Sequence, residues 1–352
     1  MVTSNCVFPT LRRGRLVNLL LPEFLCGCSP ELITIVANSV PMRHRLLSLL
    51  LLVWMSLLPY HASALDCQSP ARADLRTICR DPALKAVDEK RLALYERISA
   101  GLPATERAAF AAYENGWVSA RSGRCPVLDG EIDKTCLGEA IDDHVAELAA
   151  LDGKSSGTAA RLRFQSRKKM DVNPNVDIHA TYVEFERPQT PAERLFNEQV
   201  LKLVDRLPFS QSIDPKTTST WQDTIDVRTI YRSPRLIAVK FAEWVCCGAY
   251  GSGGFYTVNI DAANGTVLAP ERWFHLDEVA AACWYQFVDG DKGSEPFRRL
   301  YPLREAIERF SENLRWPSIW SFSHRGVELQ FSALMGYASG PYTCRLGYPE
   351  LA

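Results

Sequence analysis

Cysteine is the residue type in this chain with the widest choice of chemistry. Eleven cysteines occur in 352 residues, and eight of them lie beyond residue 64: Cys67, Cys79, Cys125, Cys136, Cys246, Cys247, Cys283 and Cys344. A thiol can be a nucleophile, a metal ligand or half of a disulfide, and spacing and compartment decide which. No Cys-x-x-Cys occurs in this part, and its histidines are only His144, His179, His275 and His324. Cys246, Cys247, His275 and Cys283 lack the paired spacing of a zinc site, so disulfides are the expected state. Adjacent strand residues point to opposite faces, so Cys246 and Cys247 need different partners, with Cys283 and Cys344 as candidates. The chain also has no Gly-x-Ser-x-Gly elbow and no His-Glu-x-x-His. In the glycine-rich stretch from Gly248 to Gly254, Tyr256 breaks the dinucleotide fingerprint, leaving a turn between strands. Neither a catalytic residue, a cofactor nor a metal is expected.

The second chemical feature is charge. Between Asp129 and Asp152 there are eight acids (129, 131, 133, 139, 142, 143, 147 and 152) against the single base Lys134. Glu139, Asp142, Asp143 and Glu147 recur at helical spacing, and such a face can steer and hold a strongly basic protein. Trp244, Tyr250 and Phe255, beside the glycine turn, are candidate aromatic anchors for a partner. The net charge of −1 gives no overall field for nucleic acid or membrane binding. A hydrophobic content of 47% with 23% charged residues belongs to a globular chain.

The elements that position these residues begin with an export signal. Arg43, His44 and Arg45 precede an apolar run, Leu46 to Leu58, and Ala62-Ser63-Ala64 forms a small-residue cleavage site. At this length the run is a signal core and too short to span a bilayer. Asp66 precedes Cys67, so the small residue of a lipoprotein signal is absent and release is expected. Residues 1–41 then stand as an upstream extension from a start assigned too early, and 42–64 as the signal peptide. Cleavage removes Cys6, Cys26 and Cys28 and leaves an even number of cysteines, as a disulfide framework in a periplasmic or secreted protein requires.

Residues 65–152 then predict a small, disulfide-stapled, all-α domain of three helices. Asp81-Pro82 is an N-cap with Pro at the first helical position. It is followed by Leu84, Val87, Leu94, Tyr95 and Ile98 at helical spacing. A second helix from near Thr105 carries Phe110, Tyr113 and Trp117, and a third carries Leu137, Ile141, Val145 and Leu148. Two disulfides among Cys67, Cys79, Cys125 and Cys136 would staple a unit this small, with three pairings open. Residues 153–175 form a linker, Gly153 to Thr158 being polar and glycine-bearing, followed by a basic run that suits a solvated edge strand. From 176 to 352 the period changes. Strands over 176–185, 224–232, 235–245 and 254–261, a Thr190–Glu193 capping box and an Asn264-Gly265 turn are followed by helices over 276–287 and 303–314. The closing strands lie near 319–323, 327–332 and 342–346, which together predict an α+β domain with a mostly antiparallel sheet.

Two resemblances accompany these patterns. Cys67, Ile78, Cys79, Asp81, Pro82, Leu84, Asp88, Tyr95, Trp117, Arg121, Cys125, Cys136 and Leu137 together resemble the LprI-type lysozyme-inhibitor N-terminal domain. Glu114 stands where that pattern usually has Gln before the Trp, and Asp142-Asp143-His144 where an aromatic and Arg are common. Residues 176–352 resemble the C-terminal extracytoplasmic domain of RsiV-type lysozyme-sensing anti-sigma factors. That likeness rests on Leu236 to Phe241, Gly248-Ala249-Tyr250, Tyr256 to Asp261, Asn264 to Leu268 and Trp273-Phe274. Tyr250 stands where that family commonly has His. The resemblances imply lysozyme, or a related peptidoglycan hydrolase, as partner for the acidic surface. A peptidoglycan-binding or peptidoglycan-acting envelope protein is the alternative.

Overall fold

The computed structural model describes residues 67–68, 70, 72–128, 131–152, 160–169, 175–208, 221–247, 251–290, 303–331 and 342–351. The upstream extension, the signal peptide, Gly153 to Thr158, and Gly248 to Tyr250 lie outside them. So do the side chains of Cys247, Gly251 and Ser252.

The cysteine-rich segment forms four helices where three are predicted: α1 (Ala73–Arg80), α2 (Pro82–Ala100), α3 (Ala104–Arg124) and α4 (Lys134–Leu151). The extra helix, α1, buries Asp74 and Thr77 beside Ile78. Its inward face is half polar, so no apolar stripe announces it. Asp81 caps α2 by accepting from the Ala83 and Leu84 amides, with Pro82 behind it. Asp133 caps α4 by accepting from the Cys136 amide at 2.9 Å. A minimal hairpin of β1 (Val127–Leu128) and β2 (Glu131–Ile132) joins α3 to α4. Disulfides Cys67–Cys79 and Cys125–Cys136 tie α1 to the segment before it and the end of α3 to the start of α4.

The remaining chain is α+β. Six strands lie in the order β3 (Leu162–Lys168), β4 (Val176–Phe185), β5 (Trp221–Arg232), β6 (Leu236–Cys247), β7 (Gly251–Asp261) and β8 (Thr266–Val267). All neighbours are antiparallel except β4 with β5, which are parallel because helix α5 (Pro191–Val204) carries the chain back between them. The Thr190–Glu193 capping box opens α5. The basic run that follows Gly157 is largely β3, the edge strand of this sheet, so the stretch 153–175 contains a structural strand as well as a connection. Asn264-Gly265 makes the β7–β8 turn. Gly265 holds φ 66°, and a Cβ there would lie 3.2 Å from Pro191.

The last third adds α6 (Leu276–Gly290), α7 (Leu303–Leu314) and a three-stranded antiparallel sheet ordered β11 (Tyr342–Gly347), β10 (Gly326–Phe331), β9 (Trp320–Phe322).

Alternation along β6 connects two cores. Ile237, Val239 and Phe241 join a core shared by the helical segment and the six-stranded sheet. Leu236 and Ala238 join a second core with Trp284, Phe310, Trp320, Phe331 and their neighbours. The helical segment therefore does not bury its apolar face alone: Phe164 of β3 packs on Phe110 and Tyr113 of α3 at ring centroid distances of 5.0 and 5.3 Å.

The third disulfide corrects the expected pairing. Cys283 and Cys344 bond to each other, tying α6 to β11, so neither is a partner for Cys246 or Cys247. Both are fully buried in the second core, on elements that pack together, whereas Cys246 lies on β6 opposite Gln222 and Gly251. At a sequence separation of 61, Cys283 and Cys344 close the longest loop of the three disulfides described. Chain entropy assigns that crosslink about 4 kcal/mol against about 3 for Cys67–Cys79. The Cys283→Ala/Cys344→Ala double variant is thus expected to lose more stability than Cys67→Ala/Cys79→Ala, as read by chemical denaturation.

Candidate functional site

The helical segment is organised around ionised side chains. Asp74 of α1 accepts from Arg72 at 2.8 and 3.0 Å and from Arg121 of α3. Arg121 also donates to Asp88 of α2 at 2.9 Å, and Asp88 accepts from Arg91 at 2.7 Å. Arg91 continues to Glu114 of α3. Glu114 meets Nε2 of His144 at 2.8 Å, and Nδ1 of His144 meets Glu147 at 2.9 Å. The other Glu147 oxygen accepts the backbone N–H of Ile230 on β5. Every member except Arg72 is buried. Trp117 forms the floor: His144 stacks on it at 4.1 Å and 7°, and the Arg91 and Arg121 guanidiniums lie 5.4 and 5.6 Å from a ring centroid of Trp117.

Spacing explains how the local sequence builds this chain of charges. Asp88 and Arg91 are three apart on α2. Glu114, Trp117 and Arg121 are three and four apart on α3. His144 and Glu147 are three apart on α4, so each helix presents one charged face inward. Burial pushes the Asp74 carboxyl up, but the hydrogen bond and charge of Arg121, then those of Arg72, hold it below its ordinary value. Burial draws the His144 imidazole below the usual histidine range, with Glu147 pulling the other way. Burial next to Glu147 raises Tyr113 far above its ordinary value.

The four acids expected to form one surface separate into two environments. Glu147 is buried in this network and faces β5, so it is not part of a docking face. Its spacing matches that of the other acids, but its direction points between α3 and the sheet. Glu139, Asp142 and Asp143 remain at the surface and converge on Arg325 in the turn between β9 and β10, at 3.3, 3.2 and 3.6 Å. Three carboxylates against one guanidinium leave the cluster negative. Asp143 is the most enclosed of them, and burial lifts it to about 6 against the opposing charge of Arg325.

A second polar cluster lies on the six-stranded sheet, on the face that also carries Leu236 and Ala238. His179 of β4 bonds Asp177 at 3.0 Å and approaches Asp226 of β5 at 3.6 Å. The register places Thr224 opposite His179 and Trp244 opposite Thr224. Trp244 lies over Gly253, where a Cβ would come within 3.1 Å of the indole, and donates to Gln222 at 3.2 Å. Its exposure of 45% and that of Phe255, 42%, leave two aromatic side chains uncovered on this face. The third aromatic candidate, Tyr250, lies outside the described residues. The nearby Asp226 carboxylate, then Asp177, raise His179 to about 9 against partial burial.

Asp74, Arg91, Asp177, Asp226 and Arg325 belong to these clusters but are not singled out by the sequence patterns. Asp88-x-x-Arg91 and Asp177-x-His179 carry a spacing signal, one helical and one strand-like. Arg325 carries none, because it lies far in sequence from the acids it meets. Among the described residues no three His, Cys, Asp or Glu side chains are grouped to hold a metal ion. No helix there is long and apolar enough to cross a membrane.

No protein-family model matches the sequence, and no curated protein matches it. Among solved structures the chain is similar to a DUF3298 family protein from Pseudomonas aeruginosa PAO1. The identity is 15%, the match covers 56% of this chain and 94% of that one, and the TM-score is 0.37. It is also similar to a DUF3298 family member from Bacteroides fragilis NCTC 9343, at 12% identity over 54% of this chain and 91% of that one, with a TM-score of 0.32.

Two outcomes follow from the clusters. Arg121→Ala leaves Asp74 and Asp88 short of their shared buried cation and should destabilise the protein by about 3–5 kcal/mol, measured by chemical denaturation. His179 is held above its unfolded value, so its contribution to stability is complete below pH ~6.5 and is lost as pH rises through about 9. Histidine NMR titration should place its midpoint near 9, and Asp226→Asn should move that midpoint down.

Proposed function

We propose that the chain is an extracytoplasmic binding protein that docks on, and blocks, lysozyme or a related basic wall hydrolase. The observation that carries this reading is the convergence of Glu139, Asp142 and Asp143 on the outer side of α4 around Arg325. The excess negative charge is held on a rigid helix capped by Asp133 and tied by Cys125–Cys136, a preorganised surface for a basic partner. The three disulfides suit an oxidising compartment, which is where such a hydrolase acts. Export through the 42–64 signal and the LprI-type resemblance of residues 65–152 belong to the same proposal.

Arg325 gives the proposal its sharpest test, because it competes with a partner's basic side chains for the same carboxylates. Lysozyme clearing of a cell-wall suspension should slow when the protein is added, and the effect should weaken with salt. Asp142→Lys/Asp143→Lys should reduce inhibition by about tenfold or more, whereas Arg325→Ala should preserve or strengthen it. Because Asp143 titrates near 6, inhibition should also be weaker at pH 5 than at pH 8. Inhibition that all of these changes leave untouched would remove α4 from the account.

A second reading rests on the uncovered Trp244 and Phe255 beside His179, Gln222 and Thr224. A sheet face with exposed aromatic rings and polar side chains suits a peptidoglycan glycan. It predicts retention on purified cell wall without lysozyme, reduced by Trp244→Ala and unaffected by the α4 substitutions.

A further inference from the structure

The hydrogen bonds at His144 pose a counting problem. A neutral imidazole has one N–H donor and one acceptor, and an ionised carboxylate only accepts. Both ring nitrogens nevertheless lie within hydrogen-bond distance of a carboxylate oxygen, Nε2 at 2.8 Å from Glu114 and Nδ1 at 2.9 Å from Glu147. With all three groups in their ordinary neutral-pH forms, one contact would set a lone pair against a carboxylate inside the core. Neither carboxylate can turn away at low cost, since Glu114 also binds Arg91 and Glu147 also holds the Ile230 amide. We propose that His144, Glu114 and Glu147 form a proton-holding site that retains one proton beyond a neutral imidazole and two carboxylates at neutral pH, and that this proton locks α4 to α3 and β5.

Charge balance within the hydrogen-bonded network, counted without the neighbouring Arg124, Arg228 and Asp143, points the same way. The hydrogen-bonded network contains four carboxylates, Asp74, Asp88, Glu114 and Glu147, against the guanidiniums of Arg72, Arg91 and Arg121. One more positive charge makes it neutral, as burial demands. The groups facing the triad from each packed element are Asp88 and Arg91 of α2; Tyr113, Arg121 and Arg124 of α3; and Asp143 on α4 itself. From β5 comes the Ile230 N–H, with Arg228 against Gly116 of α3. The three interacting groups titrate as a unit, so the proton belongs to the triad and not to one atom. Burial opposes a charged ring and favours the proton on Glu114 or Glu147 as a carboxylic acid donating to the ring; on the ring it would be an imidazolium held between the two carboxylates.

The sign of the pH dependence follows from the proton count. At pH 7–8 the unfolded chain, with histidine near 6.5 and glutamate near 4.3, has released this proton and the folded chain retains it. Folding therefore takes up a proton, and the stability from the triad is lost as pH rises through its folded titration. Glu114→Gln replaces one carboxylate with an amide that can accept from Arg91 and donate to the ring. Glu147→Gln can accept from Ile230 and donate to the ring, so either variant satisfies every contact without the extra proton.

The test is the number of protons released on unfolding the full chain at pH 7.5, measured by calorimetry in buffers of different ionisation enthalpy. His179 contributes equally to all forms and cancels. The unaltered protein should release about one proton more than either Gln variant, and both variants should lose less stability between pH 7 and 9. Equal proton release in all three forms would overturn the proposal. As a check on unaltered protein, 15N-histidine and 13C-glutamate NMR at pH 7 should show His144 with both nitrogens protonated, or with one protonated and a buried carboxylic acid beside it. A neutral ring between two ionised carboxylates would equally overturn it.

Discussion

The neutralisation of buried charge around Trp117 is the constraint on which the rest of this structure depends. Ions removed from water cost several kcal/mol each unless their partners are placed at hydrogen-bond distance. Here those partners come from all four helices of the cysteine-rich segment. Asp74 positions α1, Asp88 and Arg91 position α2, Glu114 and Arg121 position α3, and His144 and Glu147 position α4. An apolar core of the same volume would tolerate sliding of one helix along another. A chain of directional bonds ending on a backbone N–H of the neighbouring sheet does not.

That constraint also explains why the helical segment and the sheet share one core. Glu147 reaches Ile230 on β5, and Glu106 of α3 accepts the Phe164 amide on β3 at 3.3 Å and Arg161 at 2.6 Å. These polar ties surround the packing of Phe110 and Tyr113 on Phe164. On the opposite face of β6, the third disulfide and the aromatic cluster of Trp284, Phe310, Phe331 and Tyr342 hold the last elements together. Lys240 reaches Glu328 across the two sheets, and Lys240 and Arg345 overcome burial to hold Glu328 at about 2.

The same economy shapes the surface. Of the eight acids between Asp129 and Asp152, Asp133 is spent on a helix cap, Asp152 on Arg97 and Glu147 on the buried network. Glu139 and Asp142 face solvent around Arg325, with Asp143 partly enclosed beside them. A run of negative charge in sequence thus becomes a small, directed negative patch whose strength the Arg325 turn sets. The His179 cluster and Trp244 occupy a separate sheet face, so the two candidate surfaces can be altered independently.

Much of the architecture was legible in local sequence. The Asp81-Pro82 start, the Thr190–Glu193 capping box, the Asn264-Gly265 turn and the alternation of 176–185 are short-range signals whose physics acts within a few residues. Periodicity likewise placed Phe110, Tyr113, Trp117, Leu137, Ile141 and Leu148 in the core. Glu114, and His144 within the Asp142-Asp143-His144 stretch, both depart from the pattern that residues 65–152 resemble and could be noted in sequence, but only the fold brings them to 2.8 Å. Tertiary structure alone decided that α1 buries Asp74, that Cys283 pairs with Cys344, that Glu147 points inward while Asp142 points out, and that Arg325 meets the acids of α4. The reason is range. Caps, turns and faces depend on residues a few positions apart, whereas charge neutralisation and disulfide pairing depend on which elements the packed core brings together.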